Sequence, residues 1–128
     1  MSKLILFGQE YQLAYTVAAQ AVIAERFGGI EKIDGALTEG NAVEIMDNVS
    51  FMAAAMMLGA ENRERVRCMA LGLEYTGQKS IKYESLREAF RPSEVKEAAT
   101  AIMEAIREGS TATVELKEEK GKNADATP

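Results

Sequence analysis

The stretch LILFGQEYQLAYT, Leu4 to Thr16, reads as two short β-favouring runs around a glycine, while nearly everything after it reads as helix. A lone two-stranded hairpin is marginal in water, so a hairpin here needs a helical body to lie on. Gly8-Gln9 between the two runs suits a two-residue type II′ turn. That turn pairs Phe7 with Glu10, Leu6 with Tyr11, Ile5 with Gln12 and Leu4 with Leu13. Leu4, Leu6, Tyr11, Leu13 and Tyr15 then share one apolar face, with Lys3, Glu10 and Gln12 on the other. Unpaired strand edges are either covered or recruited by another strand. The hairpin is therefore expected to be a docked lid whose free edge is open to a neighbouring subunit or partner.

Outward from the hairpin, Thr16 is placed to cap a helix through VAAQAVIAERF, stopped by Gly28-Gly29. Only Gln20, Glu25 and Arg26 are polar in that run, which predicts a helix covered on most sides. A short helix follows in IEKIDGAL. Asn41 with Glu44 resembles a capping box and opens a long helix that is expected to break at Gly59. A further helix is predicted in NRERVRCMALGLEY, with Val66, Met69, Ala70 and Leu73 at helical spacing, then a loop at Gly77. YESLREAF puts Tyr83, Leu86 and Phe90 on one stripe, and Pro92-Ser93 punctuates before a last amphipathic helix. In that helix Val95, Ala99, Ile102 and Ile106 recur on one face, and Gly109 is expected to end it. The pattern predicts a mainly α fold: a small helical domain over residues 1–109 with an N-terminal two-stranded β-hairpin. Residues 110–128 are few in large apolar side chains and are expected to form a charged, flexible C-terminal tail.

Composition narrows the function. A chain of 128 residues with 47% hydrophobic content can build one core unaided. A net charge of -5 argues against a surface that tracks phosphates, so no nucleic-acid partner is expected. The longest uncharged apolar run, Phe51 to Ala60, is about half of what a membrane-spanning helix needs, so no membrane partner is expected either. One cysteine, Cys68, forms no internal disulfide, and no secretion signal is evident, which points to the cytoplasm.

Little in the chain suggests catalysis. There is no histidine, which removes the commonest general base and metal ligand. No calcium-loop spacing and no phosphate-loop motif occurs, and Cys68 reads as a small buried hydrophobe. No catalytic residue, cofactor or metal site is expected, and the chain is not read as an enzyme. Arg63, Arg65 and Arg67 stand beside Glu61 and Glu64, the pattern of a solvated charged face. Met46, Met52, Met56 and Met57 fall in one helix; thioethers fill irregular cores, the first reading, and also suit adaptable binding surfaces, the second. On the second reading the candidate partner-binding residues are Val17, Ala21, Ala24 and Phe27 in the first helix, with Met46, Phe51, Met52, Met56 and Met57 in the long one.

The stretch from Leu4 to Leu37 resembles the N-terminal part of the tail assembly chaperones of long-tailed bacteriophages. The residues carrying the likeness are Gly8, Glu10, Tyr11, Leu13, Thr16, Glu25, Arg26, Phe27 and Gly28. The resemblance implies a non-enzymatic assembly factor in the host cytoplasm that binds the tape measure protein, keeps it soluble, helps recruit the tail tube protein, and is absent from the finished virion. It also implies a homo-oligomer and a longer frameshifted form of the same chain. Lys120-Gly121-Lys122 is encodable as AAG GGA AAA, which contains a slippery heptamer. Two alternatives from other classes are a structural head-tail connector and a small DNA-binding regulator using the helices around Arg63 to Tyr75 and Tyr83 to Phe90.

Overall fold

The computed structural model describes residues 2–126, with side chains through residue 110. Strands β1 (Lys3–Leu6) and β2 (Gln9–Gln12) pair antiparallel, Leu4 opposite Tyr11 and Leu6 opposite Gln9. The turn therefore sits at Phe7-Gly8 and not at Gly8-Gln9. Both central residues have positive φ, 56° and 74°, the type I′ geometry whose twist matches that of the strands. The expected pairing is corrected by two residues along β2, and side chains alternate with period two, so the inner face survives the shift. Leu4, Leu6 and Leu13 are buried and Tyr11 and Tyr15 pack against the core.

The helices follow in chain order: α1 (Val17–Phe27), a 3-10 turn (Ile30–Lys32), α2 (Ile33–Thr38), α3 (Ala42–Leu71), α4 (Tyr83–Ala89) and α5 (Pro92–Ala126). The caps of the first and third helices are the expected ones. Thr16 Oγ1 accepts from the Ala19 amide at 3.1 Å, and Gly28 closes α1 in the left-handed region at φ 88°. Asn41 Oδ1 accepts from the Glu44 amide at 2.8 Å.

At 30 residues α3 spans roughly 45 Å, at 1.5 Å per residue. It is the axis of the fold: Val49, Met52, Ala53, Met56 and Met57 are fully buried. Around them lie Ile23 of α1, Leu37 of α2, Leu86 of α4, Ile102 of α5 and the inner face of the hairpin. By length and composition α3 could cross a membrane; here 44% of its apolar window is buried inside the fold.

Two glycines expected to stop helices lie inside them. At Gly59 a Cβ would sit 2.6 Å from the Ala14 carbonyl oxygen, so α3 passes unbroken while the strand-to-helix connection crosses it in backbone contact. The Ala14 amide also donates to the Met56 carbonyl at 3.1 Å. At Gly109 a Cβ would lie 3.0 Å from Tyr15 Cβ and its carbonyl oxygen. Both are close-approach positions, where a missing side chain admits another segment. The helix expected through Tyr75 stops earlier, at Leu71, where Gly72 takes φ 69° and the Leu73 amide donates to the Cys68 carbonyl at 2.8 Å. The flexible tail expected over residues 110–128 lies, from residue 111 on, outside the residues whose side chains are described.

Candidate partner-binding groove

The contacts along α1 and α3 run in opposite directions, Thr16 beside Gly59 and Arg26 reaching Asp47 at 3.5 Å. Small residues line their meeting, Ala18 and Ala19 on α1 against Ala55 and Gly59 on α3, and the two helix surfaces leave a trough between them. Val22, Leu58 and Val66 wall it, and Asn62, Arg63, Glu64 and Arg67 form its rim. The groove has a volume of about 560 Å³. Val22, Leu58 and Val66 are 49%, 48% and 61% exposed, so the walls are large apolar side chains in contact with water. Val17 and Met69 add to the exposed apolar surface of the same two helices. Clustered apolar exposure framed by charges is the usual mark of a surface that binds another chain.

The three arginines of this stretch of α3, Arg63 and Arg67 on the rim and Arg65 off it, do three different things. Arg67 forks onto Glu64 with Nε at 2.9 and 3.1 Å and a terminal nitrogen at 2.7 Å. Arg65 donates to Glu61 at 2.8 Å and stacks on the Tyr75 ring, 4.2 Å from its centroid. Among the described residues Arg63 makes no hydrogen bond or ion pair.

Glu61 is buried and also accepts from the Ser80 amide at 2.7 Å. That backbone hydrogen bond and the Arg65 guanidinium outweigh burial and hold its carboxyl below the usual carboxylate range. Together they pin the loop after α3. Gln78 in that loop closes the hairpin edge: its Oε1 accepts from the Gln12 amide at 2.6 Å and its Nε2 donates to the Gln12 carbonyl at 3.0 Å. At Gln12, then, the edge expected to be open is covered by a side-chain amide acting as a one-residue strand.

At the far end of α1 a second network is internal. Tyr83 Oη donates to Asp47 Oδ1 at 2.6 Å and Arg87 Nε reaches the same oxygen at 2.9 Å. Arg26 lies over the Phe51 and Tyr83 rings, and Phe27 and Tyr83 each meet Phe51 edge-on. Burial, with the bond to Asp47, pushes the Tyr83 hydroxyl up. This network ties α1, α3 and α4 together.

Of the candidate partner-binding residues, Val17 and Ala21 are exposed on α1, while Ala24, Phe27, Met46 and Phe51 are half-buried. Met52, Met56 and Met57 are corrected: they are fully buried and fill the core, because five segments converge on that stretch of α3. The expectation that α1 is covered on most sides is also corrected, since only Ala19 and Ile23 are buried. Val66, Met69 and Leu73, noted for their helical spacing, are 61%, 78% and 53% exposed. Val22, Leu58 and Val66 were missing from the sequence reading of the site. The available signal was the surplus of apolar residues in α1 over what one packed face requires. Cys68 is buried, its Sγ 3.8 Å from Glu64 Oε1. Among the described residues no three His, Cys, Asp or Glu side chains converge in a way that holds a metal. No known protein family matches the chain, and neither a curated protein nor a solved structure is significantly similar to it.

Proposed function

We propose that this protein is a non-enzymatic assembly chaperone that holds an apolar helix of a partner in the groove between α1 and α3. The observation that carries the reading is the groove itself, three large apolar walls left half-exposed over a floor of alanine and glycine. A floor of small residues lets a partner helix approach the backbone closely, and an amphipathic helix laid in an apolar groove is a recurring mode of recognition. The N-terminal resemblance to tail assembly chaperones supports the tape measure protein as that partner, with tail tube subunits recruited to the complex and the host cytoplasm as its setting.

Co-expression with a long, coiled-coil-rich tape measure protein tests the reading. The two are expected to co-purify, with the long protein kept soluble. Leu58→Asp is expected to abolish both while leaving the circular dichroism melt close to the parent's. Failure of solubilisation and of co-purification across several salt concentrations overturns the proposal. Finding the chain in purified particles by mass spectrometry instead supports the structural connector.

A further inference from the structure

On the hairpin, turn chemistry and side chain disagree. A type I′ turn asks for Asn, Asp or Gly at its first central position, since φ is positive there. This chain places Phe7 in that position, at φ 56° and 74% exposed. Ile5, two residues back on the same outward face, is 60% exposed. The turn therefore carries an aromatic that neither backbone preference nor burial within the chain accounts for. Beside it a notch includes Arg91, Glu94 and Glu97. Arg91 pairs with Glu94, and Glu97 has no partner among the described residues, so the notch carries one uncompensated negative charge.

The groove has the opposite character. Its apolar walls are open, Arg67 is neutralised by Glu64, and Arg63 is left as one uncompensated positive charge. A protruding apolar pair with a free carboxylate and an open apolar trough with a free guanidinium thus occur on separate parts of one chain.

We infer that the hairpin tip of one copy, Phe7 and Ile5, seats in the α1–α3 groove of a second copy, with Glu97 facing Arg63. The contact joins two different patches, so each copy joined through one tip keeps a tip or a groove free for a further copy, unless two copies engage reciprocally and close as a two-fold dimer. It is small and belongs to the weak class of interfaces. The inference concerns the chain alone; because this interface is weak, a partner helix that takes the same groove displaces the tip.

Sedimentation velocity of the full chain, from about 10 μM to about 1 mM, is the test. The parent is expected to form dimers and larger species that grow with concentration. Phe7→Asn removes the tip while suiting the turn better, so it is expected to melt no lower than the parent and yet sediment as a monomer. Val66→Asp removes the groove and is also expected to be monomeric. An equimolar mixture of the two has one intact tip and one intact groove. It is expected to give a 1:1 dimer and nothing larger. Arg63→Glu is expected to weaken association about tenfold, with Glu97→Arg in the same chain restoring it. A parent that stays monomeric at about 1 mM, a Phe7→Asn chain that associates like the parent, or a mixture that stays monomeric each overturns the inference.

Discussion

The two halves of α3 both carry large apolar side chains but have opposite surroundings. From Val49 to Met57 the helix is enclosed by the hairpin and the other helices, and its methionines are fully buried. From Ala60 to Leu71 only Glu61 and Cys68 are buried, while Val66, Met69 and Leu71 are 61%, 78% and 60% exposed. One half is core and the other is platform. What separates them is Gly59, where the chain entering α1 crosses the helix. From Val49 to Met57 the large apolar side chains have neighbours that bury them; Leu58 at the crossing and Val66 beyond it wall the groove. An apolar residue on a helix is thus no indication of burial until the elements opposite it are known.

Substitutions along α3 test this contrast. The largest effect is expected at the crossing: Gly59→Val drives side-chain atoms into the Ala14 carbonyl and is expected to cost about 3 kcal/mol or more, read from a urea melt. A helix-interior glycine ordinarily gains from substitution to alanine by up to about 1 kcal/mol, so an unchanged or stabilised Gly59→Ala chain would refute the close approach. Met56→Ala leaves a cavity in the core half and is expected to cost about 2–4 kcal/mol.

Glu61 lies just past the crossing and anchors the loop. Glu61→Ala leaves the Ser80 amide and Arg65 without their acceptor and is expected to cost about 1–3 kcal/mol. Its carboxyl titrates lower in the folded chain than its usual 4.5. The contribution is therefore complete above that value and is lost as pH falls through the lowered folded value. Urea midpoints of parent and Glu61→Gln are expected to differ at neutral pH and to converge as pH falls through the lowered folded value. A gap independent of pH would mean that the ionised carboxylate is not what holds the loop. The smallest effect is expected at Met69→Ala on the platform half, under about 0.5 kcal/mol. A loss there equal to that of Met56→Ala would erase the contrast between the halves.

The signals legible in the sequence were short-range ones. Thr16 and Asn41 cap their helices through their own hydroxyl and amide, and Gly28 stops α1 by its own left-handed backbone, so each depends on residues three or four positions away. Strand alternation likewise kept Leu4, Leu6 and Leu13 on the inner face despite the corrected turn, because moving the pairing by two residues does not change which side a residue faces. These local rules determined a mainly helical chain behind an N-terminal hairpin. Tertiary structure alone decided what each glycine and each methionine does. Gly28 and Gly59 are the same residue type, and only the position of the Ala14 carbonyl makes one a helix stop and the other a crossing point. Met56 and Met69 share a helix, and only the convergence of distant elements on one of them separates core from groove surroundings. Capping and alternation act within a turn or a strand pair, whereas burial depends on segments tens of residues apart meeting in space.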